Sequence, residues 1–185
     1  VGDIGSGKSH IAKLFNFPVF NADFEVKKIY RLNRSCFKKI KRELPKFFLS
    51  FPIKKEEIIK AILARRNNLK KITKIIHPEI SKKMKIFLNK NKNKKIIILD
   101  VPLFLENKLN KKGDIIIFVQ SKKSEIYKRL KKRNNFNMSL FKKFKETQLP
   151  LEYKKKKAHF ILKNNFTNVS LRKNINIILK KINNE

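Results

Sequence analysis

Apolar residues recur at helical spacing through the first half of the chain and gather into short unbroken runs in the second half. Ile11, Ala12, Leu14 and Phe15 mark one face of a helix, and Pro18-Val19-Phe20 follows as a short strand ending at Asn21-Ala22-Asp23. Residues 24–92 read as mostly helical, with Phe24, Ile29, Tyr30, Ile58, Ile59, Ile62 and Leu63 on apolar faces. Leu69, Ile72, Ile75 and Ile76 continue the pattern up to His77-Pro78, and Ile80, Met84, Phe87 and Leu88 predict a further helix beyond it. Lys95 to Leu99 reads as a buried strand with Asp100 at its end, and Asp114 to Val119 as another. Ser124 to Arg133 and Leu140 to Leu149 predict helices, Phe160 to Leu162 a last short strand, and Val169 to Ile182 a closing helix. Strands alternating with helices predict an α/β fold with a parallel, doubly wound sheet. Ligands of such sheets sit at the carboxyl ends of the strands.

Residues Gly2 to Ser9 read Gly-Asp-Ile-Gly-Ser-Gly-Lys-Ser, which fills every fixed position of the Walker A pattern G-x-x-x-x-G-K-[ST]. The glycines let the backbone curl so that N–H groups point into one nest, and the nest with the following helix N-terminus holds phosphate. Gly5, Ser6, Gly7, Lys8, Ser9 and His10 are therefore the candidate ATP-binding stretch. Lys8 can reach the β- and γ-phosphates, and the Ser9 hydroxyl can join a Mg²⁺ shell. The competing reading is a glycine-rich turn before a helix. Such a loop normally follows a strand of about five or six residues, whereas only Val1 precedes Gly2 and no initiator Met is present. The expectation is a fragment that has lost its N-terminal end.

Charge changes the picture more than length or apolarity does. The 185 residues include 48 Lys and Arg against 14 Asp and Glu, a net charge of +34. A basic nucleic-acid-binding surface is one reading. The other is compositional bias: Lys, Asn, Ile and Phe dominate, Gly and Pro are scarce, Trp is absent, and the lysines are spread along the whole chain. Either way a non-specific attraction to polyanions is expected. The runs Lys111-Lys112 and Lys154 to Lys157 are expected to be solvated surface. Cys36, the single cysteine, excludes an intrachain disulfide and a cysteine metal cluster and suits a cytoplasmic location. No apolar run reaches the length of a membrane span. Nothing in the sequence sets the oligomeric state.

Four further constellations could carry chemistry. Asp23 follows the loop after one helix and one short strand. It can accept the proton of an attacking hydroxyl, or it can cap a helix starting at Phe24; spacing alone does not separate the two. Asp100, ending an apolar strand, can hold Mg²⁺ or serve as a turn residue before Pro102. Arg129 and Arg133 stand at i and i+4 and would share a helix face, suited either to bidentate phosphate contacts or to solvent. His77 before Pro78 can mark a helix start. The three histidines show no zinc-ligand spacing.

Taken in order, the pieces resemble the dephospho-coenzyme A kinase family: the loop from Gly2 to Ser9, Asn21-Ala22-Asp23, His77-Pro78, Asp100-Val101-Pro102-Leu103-Phe104-Leu105-Glu106, Arg129 and Arg133, Gln148, and Ala158 to Asn164. The resemblance runs from Gly2 to about Phe166. It implies a single three-layer P-loop kinase domain over 1–185, with a core at 1–23 and 93–185, a helical substrate-binding insertion at about 24–92 and a small lid at about 133–147. It implies phosphorylation of the ribose 3′-hydroxyl of dephospho-coenzyme A by ATP with Mg²⁺, the last step of coenzyme A synthesis. Asp23, Lys8, Arg129 and Arg133 would be catalytic, Asn164 would join the ATP site, His77, Pro102 and Glu106 would bind the acceptor, and Ser9 and Asp100 the metal. Departures from the family pattern are Asp3 for a usual Gly, His10 for Thr, Asn21 for Asp, His159 for Asp and Phe166 for Gly. The alternatives are another P-loop small-molecule kinase, such as a nucleoside monophosphate kinase, and a basic nucleic-acid-binding protein with a vestigial P-loop.

Overall fold

A computed structural model describes residues 1–133 and 136–184, the Arg66 side chain excepted. Its elements run in chain order α1 (Lys8–Leu14), β1 (Val19–Asn21), α2 (Ala22–Leu32), α3 (Arg34–Glu43), α4 (Lys55–Ala64), α5 (Arg66–Lys90), β2 (Ile98–Asp100), β3 (Ile117–Gln120), α6 (Lys123–Lys131), α7 (Met138–Glu146), α8 (Leu151–Lys156), β4 (Phe160–Lys163) and α9 (Asn168–Asn183). The chain divides into two units. One comprises Val1–Val19, Ile98–Asn137 and Phe144–Glu185, the other Phe20–Ile97 and Met138–Lys143. The lid expected at about 133–147 includes Asn134 and Asn135, which lie outside the described residues.

The first unit is α/β. β3 and β4 pair in parallel, Ile117 opposite Phe160 through Gln120 opposite Lys163. Gly2 bridges in parallel to Val119, so the residues leading into the loop run beside β3. β1 pairs with β2, and the Ile98 N–H donates to the Pro18 carbonyl at 2.9 Å. Ile11 and Phe15 of α1, Val119 of β3, Leu162 of β4 and Leu171, Ile175 and Ile178 of α9 form one buried cluster. Phe104, Leu105 and Ile116 form another, with Val1, Leu99 and Leu149 packed against it. These side chains alternate with the helix and strand periods that the sequence displays.

The second unit is helical. Ile29, Ile40, Phe48, Ala61, Ile62, Ile72 and Ile76 meet in its core. Asn21 caps α2 by accepting the Phe24 N–H at 2.7 Å, and Asn33 caps α3 from Cys36 at 2.9 Å. The end of α4 has no basic residue of its own in its last turn. Lys143 of α7 supplies one, donating to the carbonyls of Ile62 at 2.7 Å and Leu63 at 3.0 Å. His77-Pro78 does not start a helix. Pro78 lies inside α5, which runs unbroken for 25 residues, so the two helices expected here are one. Proline lacks the N–H that would bond back to Lys74, and the helix continues because Ile72 and Ile76 are held in the core on the other side of that turn.

Candidate functional site

The loop from Gly2 to Gly7 bends at glycines with positive φ: 143° at Gly2, 83° at Gly5 and 92° at Gly7. Two of these positions are closed to side chains by contact as well. A Cβ on Gly2 would lie 2.6 Å from the Val119 carbonyl oxygen, and one on Gly7 2.4 Å from Asn164 Nδ2. Gly7 is also the N-cap of α1. It brings no capping side chain, so the first N–H groups of the helix face outward at the positive end of its dipole.

The loop is held from below by side chains that come from other elements. Asn164, buried just past β4, donates from Nδ2 to the Ser6 carbonyl at 2.7 Å, and the Ser121 hydroxyl donates to the same carbonyl at 3.0 Å. Asn164 Oδ1 accepts the Phe166 N–H at 2.7 Å. The expected ATP-site residue Asn164 is thus a strut under the loop. Asn164→Ala should lower stability by about 1–3 kcal/mol, because it removes the buried bond to the Ser6 carbonyl and leaves the part-buried Phe166 N–H without its acceptor. A thermal melt checks this, and ATP affinity should fall with it.

Lys8 Nζ donates to the carbonyls of Asp3 at 2.6 Å and Gly2 at 3.2 Å, which anchors the ammonium over the loop. Asp3, buried, accepts its neighbour Ile4's N–H at 2.8 Å and so braces the turn that a usual glycine would make unaided. Ser9 is exposed in the first turn of α1. His10 Nε2 pairs with Asn168 Oδ1 at 2.8 Å. His159 Nδ1 accepts the Ile116 N–H at 2.8 Å.

Asp100 ends β2 as expected and is buried at its tip, followed by Pro102 in a run of turns. Glu106 is held by a buried ion pair with Lys154 at 2.6 Å. That corrects the expectation that the lysine run at 154–157 is all solvated. Lys154 is 3% exposed, on α8, a helix that the sequence does not announce.

Arg129 and Arg133 do not share a helix face. α6 ends at Lys131, so Arg133 lies beyond it, its N–H bonded to the Leu130 carbonyl at 3.1 Å. Arg129 stands over the Phe166 ring at 4.4 Å from the centroid. Phe166 adopts φ 63°, a left-handed conformation that glycine takes easily and phenylalanine does not. The ring lies 3.5 Å from where a Cβ on Gly7 would be. Phe166 is thus an aromatic platform beside the loop that carries the Arg129 guanidinium.

Asp23 and His77 belong to the helical unit. The cap of α2 is Asn21, so Asp23 is not the helix cap that spacing left open. It sits exposed in the first turn of α2. Asn21 caps as well as Asp would, which accounts for the departure there. His77 is exposed on α5, and partial burial of its ring pushes its pKa below the ordinary 6.5.

A phosphate-binding loop feeding a helix, beside parallel strands with a carboxylate at a strand end, defines a P-loop kinase of the α/β class. The family profile described as dephospho-CoA kinase matches residues 1–169. The chain is 31% identical over 166 residues to the dephospho-CoA kinase of Wolbachia sp. subsp. Brugia malayi, covering 87% of this chain and 85% of that one. It is 26% identical to that of Bartonella henselae, over 98% and 95% of the two chains. Among solved structures, TT1252 from Thermus thermophilus superimposes with a TM-score of 0.74 at 22% identity over 97% of this chain and 94% of that one. The dephospho-CoA kinase from Campylobacter jejuni does so with 0.62 at 22% over 98% and 94%. The chain belongs to the dephospho-CoA kinase family. Its reaction is the ATP-dependent phosphorylation of dephospho-coenzyme A at the ribose 3′-hydroxyl, which completes coenzyme A synthesis. The nucleoside monophosphate kinase and nucleic-acid readings are not favoured. Among the described residues, no helix is long and apolar enough to cross a membrane.

Proposed function

We propose that the loop amides and Lys8 hold the phosphates of ATP, and that Arg129, on its Phe166 platform, stabilises charge on the transferring group. The Asp23 carboxylate takes the proton of the 3′-hydroxyl as that oxygen bonds to the γ-phosphorus and the bond to ADP breaks. The observation that supports the Asp23 assignment is the Asn21 cap, which fills the capping role that spacing left open for position 23.

Ser9 and Asp100 are the residues that would hold Mg²⁺. A hydroxyl and a carboxylate are the hard oxygen donors that ion takes, and it is bound mainly through phosphates and water. Bound Mg²⁺ supplies charge neutralisation on the β- and γ-phosphates.

The helical unit, about 24–92, receives the acceptor. It holds a groove of about 540 Å³ lined by Lys39, Arg42, Lys70, Lys71 and Lys74 with Glu43 and Glu79, a cationic setting suited to a phosphorylated acceptor. Pro78 lines it, while His77 is not among its lining residues. Residues near 133–147 serve as the lid, and the enzyme works in the cytoplasm. A coupled ADP-release assay tests the reading. Turnover with dephospho-coenzyme A should exceed that with AMP, other nucleotides or no acceptor, and a preference for AMP would sink it.

Arg129→Lys should lower kcat/KM about tenfold although the charge is kept, because the flat guanidinium no longer stacks. Phe166→Leu should cost a similar factor, and the double variant little more than either single one. Independent, multiplying losses would show that the stacking is incidental.

A further inference from the structure

We propose that the Asp3 carboxylate is a built-in counter-anion of the phosphate loop, which lowers the loop's affinity for nucleotide polyphosphates in proportion to their charge. Asp3 is the second residue of the Walker A stretch and is 8% exposed. Its Oδ1 accepts the Ile4 N–H at 2.8 Å, so one amide of the loop is already engaged by an anion that belongs to the protein. The Asp3 carbonyl accepts from Lys8 Nζ at 2.6 Å and the Gly2 carbonyl at 3.2 Å. The ammonium that meets the phosphates therefore rests on the backbone of the same residue that bears the carboxylate.

The turn does not need the charge. Asparagine offers the same Oδ1 acceptor and serves equally well as a turn residue, whereas a buried carboxylate costs desolvation. Lys8 is held by backbone carbonyls, so an asparagine at position 3 leaves its acceptors in place. What the charge adds is repulsion of incoming phosphates. Within one loop, a single charge opposing several phosphate charges is worth about tenfold in affinity even near the dielectric constant of water. The rest of the chain pulls the other way, since a net charge of +34 attracts every polyanion. The carboxylate moderates that attraction at the site that must release ADP. This inference rests on the loop being the ATP site.

The test is calorimetric titration of the full chain with ATP, ADP and AMP in metal-free buffer at one ionic strength. Asp3→Asn should tighten ATP about tenfold, ADP about fivefold and AMP less than about twofold, with a melting temperature near that of wild type. Asp3→Ala, which gives up the brace together with the charge, should melt lower and show the same order of gains. Equal gains for the three nucleotides, or no gain for ATP in Asp3→Asn, would make the carboxylate only a brace and overturn the proposal. Lys8→Ala in the same titration separates this inference from the reading beneath it. Weaker ATP binding there keeps the loop as the ATP site, and unchanged binding removes that reading and this proposal together. If Asp3→Asn does not fold, the order of gains in Asp3→Ala decides.

Discussion

Replacing Lys8 with alanine should lower kcat by about 10²–10³-fold, the scale seen when one preorganised charge donor is removed from a transition state. The fold should survive, because the core around α1 is built from Ile11 and Phe15 with α9 and β4, and not from the lysine. The ammonium's bonds to the Gly2 and Asp3 carbonyls would go with it, so ATP binding should weaken too. Steady-state kinetics beside a thermal melt checks both parts. Near-normal turnover in the variant would remove the phosphate loop from the mechanism.

Asp23→Asn should reduce kcat by about 10²–10⁴-fold, the usual contribution of a positioned proton acceptor, while KM for ATP changes little. The amide has the same size and cannot take a proton at neutral pH. Its cost to stability should be small, about 0.5 kcal/mol from losing a negative charge in the first turn of α2, because Asn21 already supplies the cap. The reverse pattern, a marked drop in melting temperature with normal kcat, would return Asp23 to a structural role. Measuring the pH dependence of kcat sharpens the test: with the carboxylate as proton acceptor, an acid limb is expected in the wild type and should vanish in the variant.

Much of the site can be read from the chain because its parts are local. A Walker A loop is eight consecutive residues whose backbone geometry and chemistry are set by their own glycines, lysine and serine. The strand ending at Asp100 shows itself by an apolar run, and α9 by a 3.6-residue period. The helical second unit shows itself in the same way, although its boundaries do not. The proline in α5 reads as a helix start because proline cannot donate; core packing of Ile72 and Ile76 overrides that local preference.

What the chain conceals is pairing across distance. Lys154 is one of 48 cations, and no composition or periodicity separates the one that is buried against Glu106 from those in solvent. Asn21 against Asp23 as the cap of α2 turns on where the helix begins, a matter of one or two residues. Arg133 leaves the face of Arg129 because α6 ends two residues before it. The Phe166 platform needs a left-handed residue that the sequence favours nowhere at that point. The sequence by itself determined the phosphate loop, the α/β alternation and the family, since these rest on residues adjacent in the chain or spaced by a helical or strand period. Only the tertiary structure decided which charges are buried, which asparagines are struts and caps, and what Arg129 rests on, since those contacts join residues that only folding brings within a few ångströms.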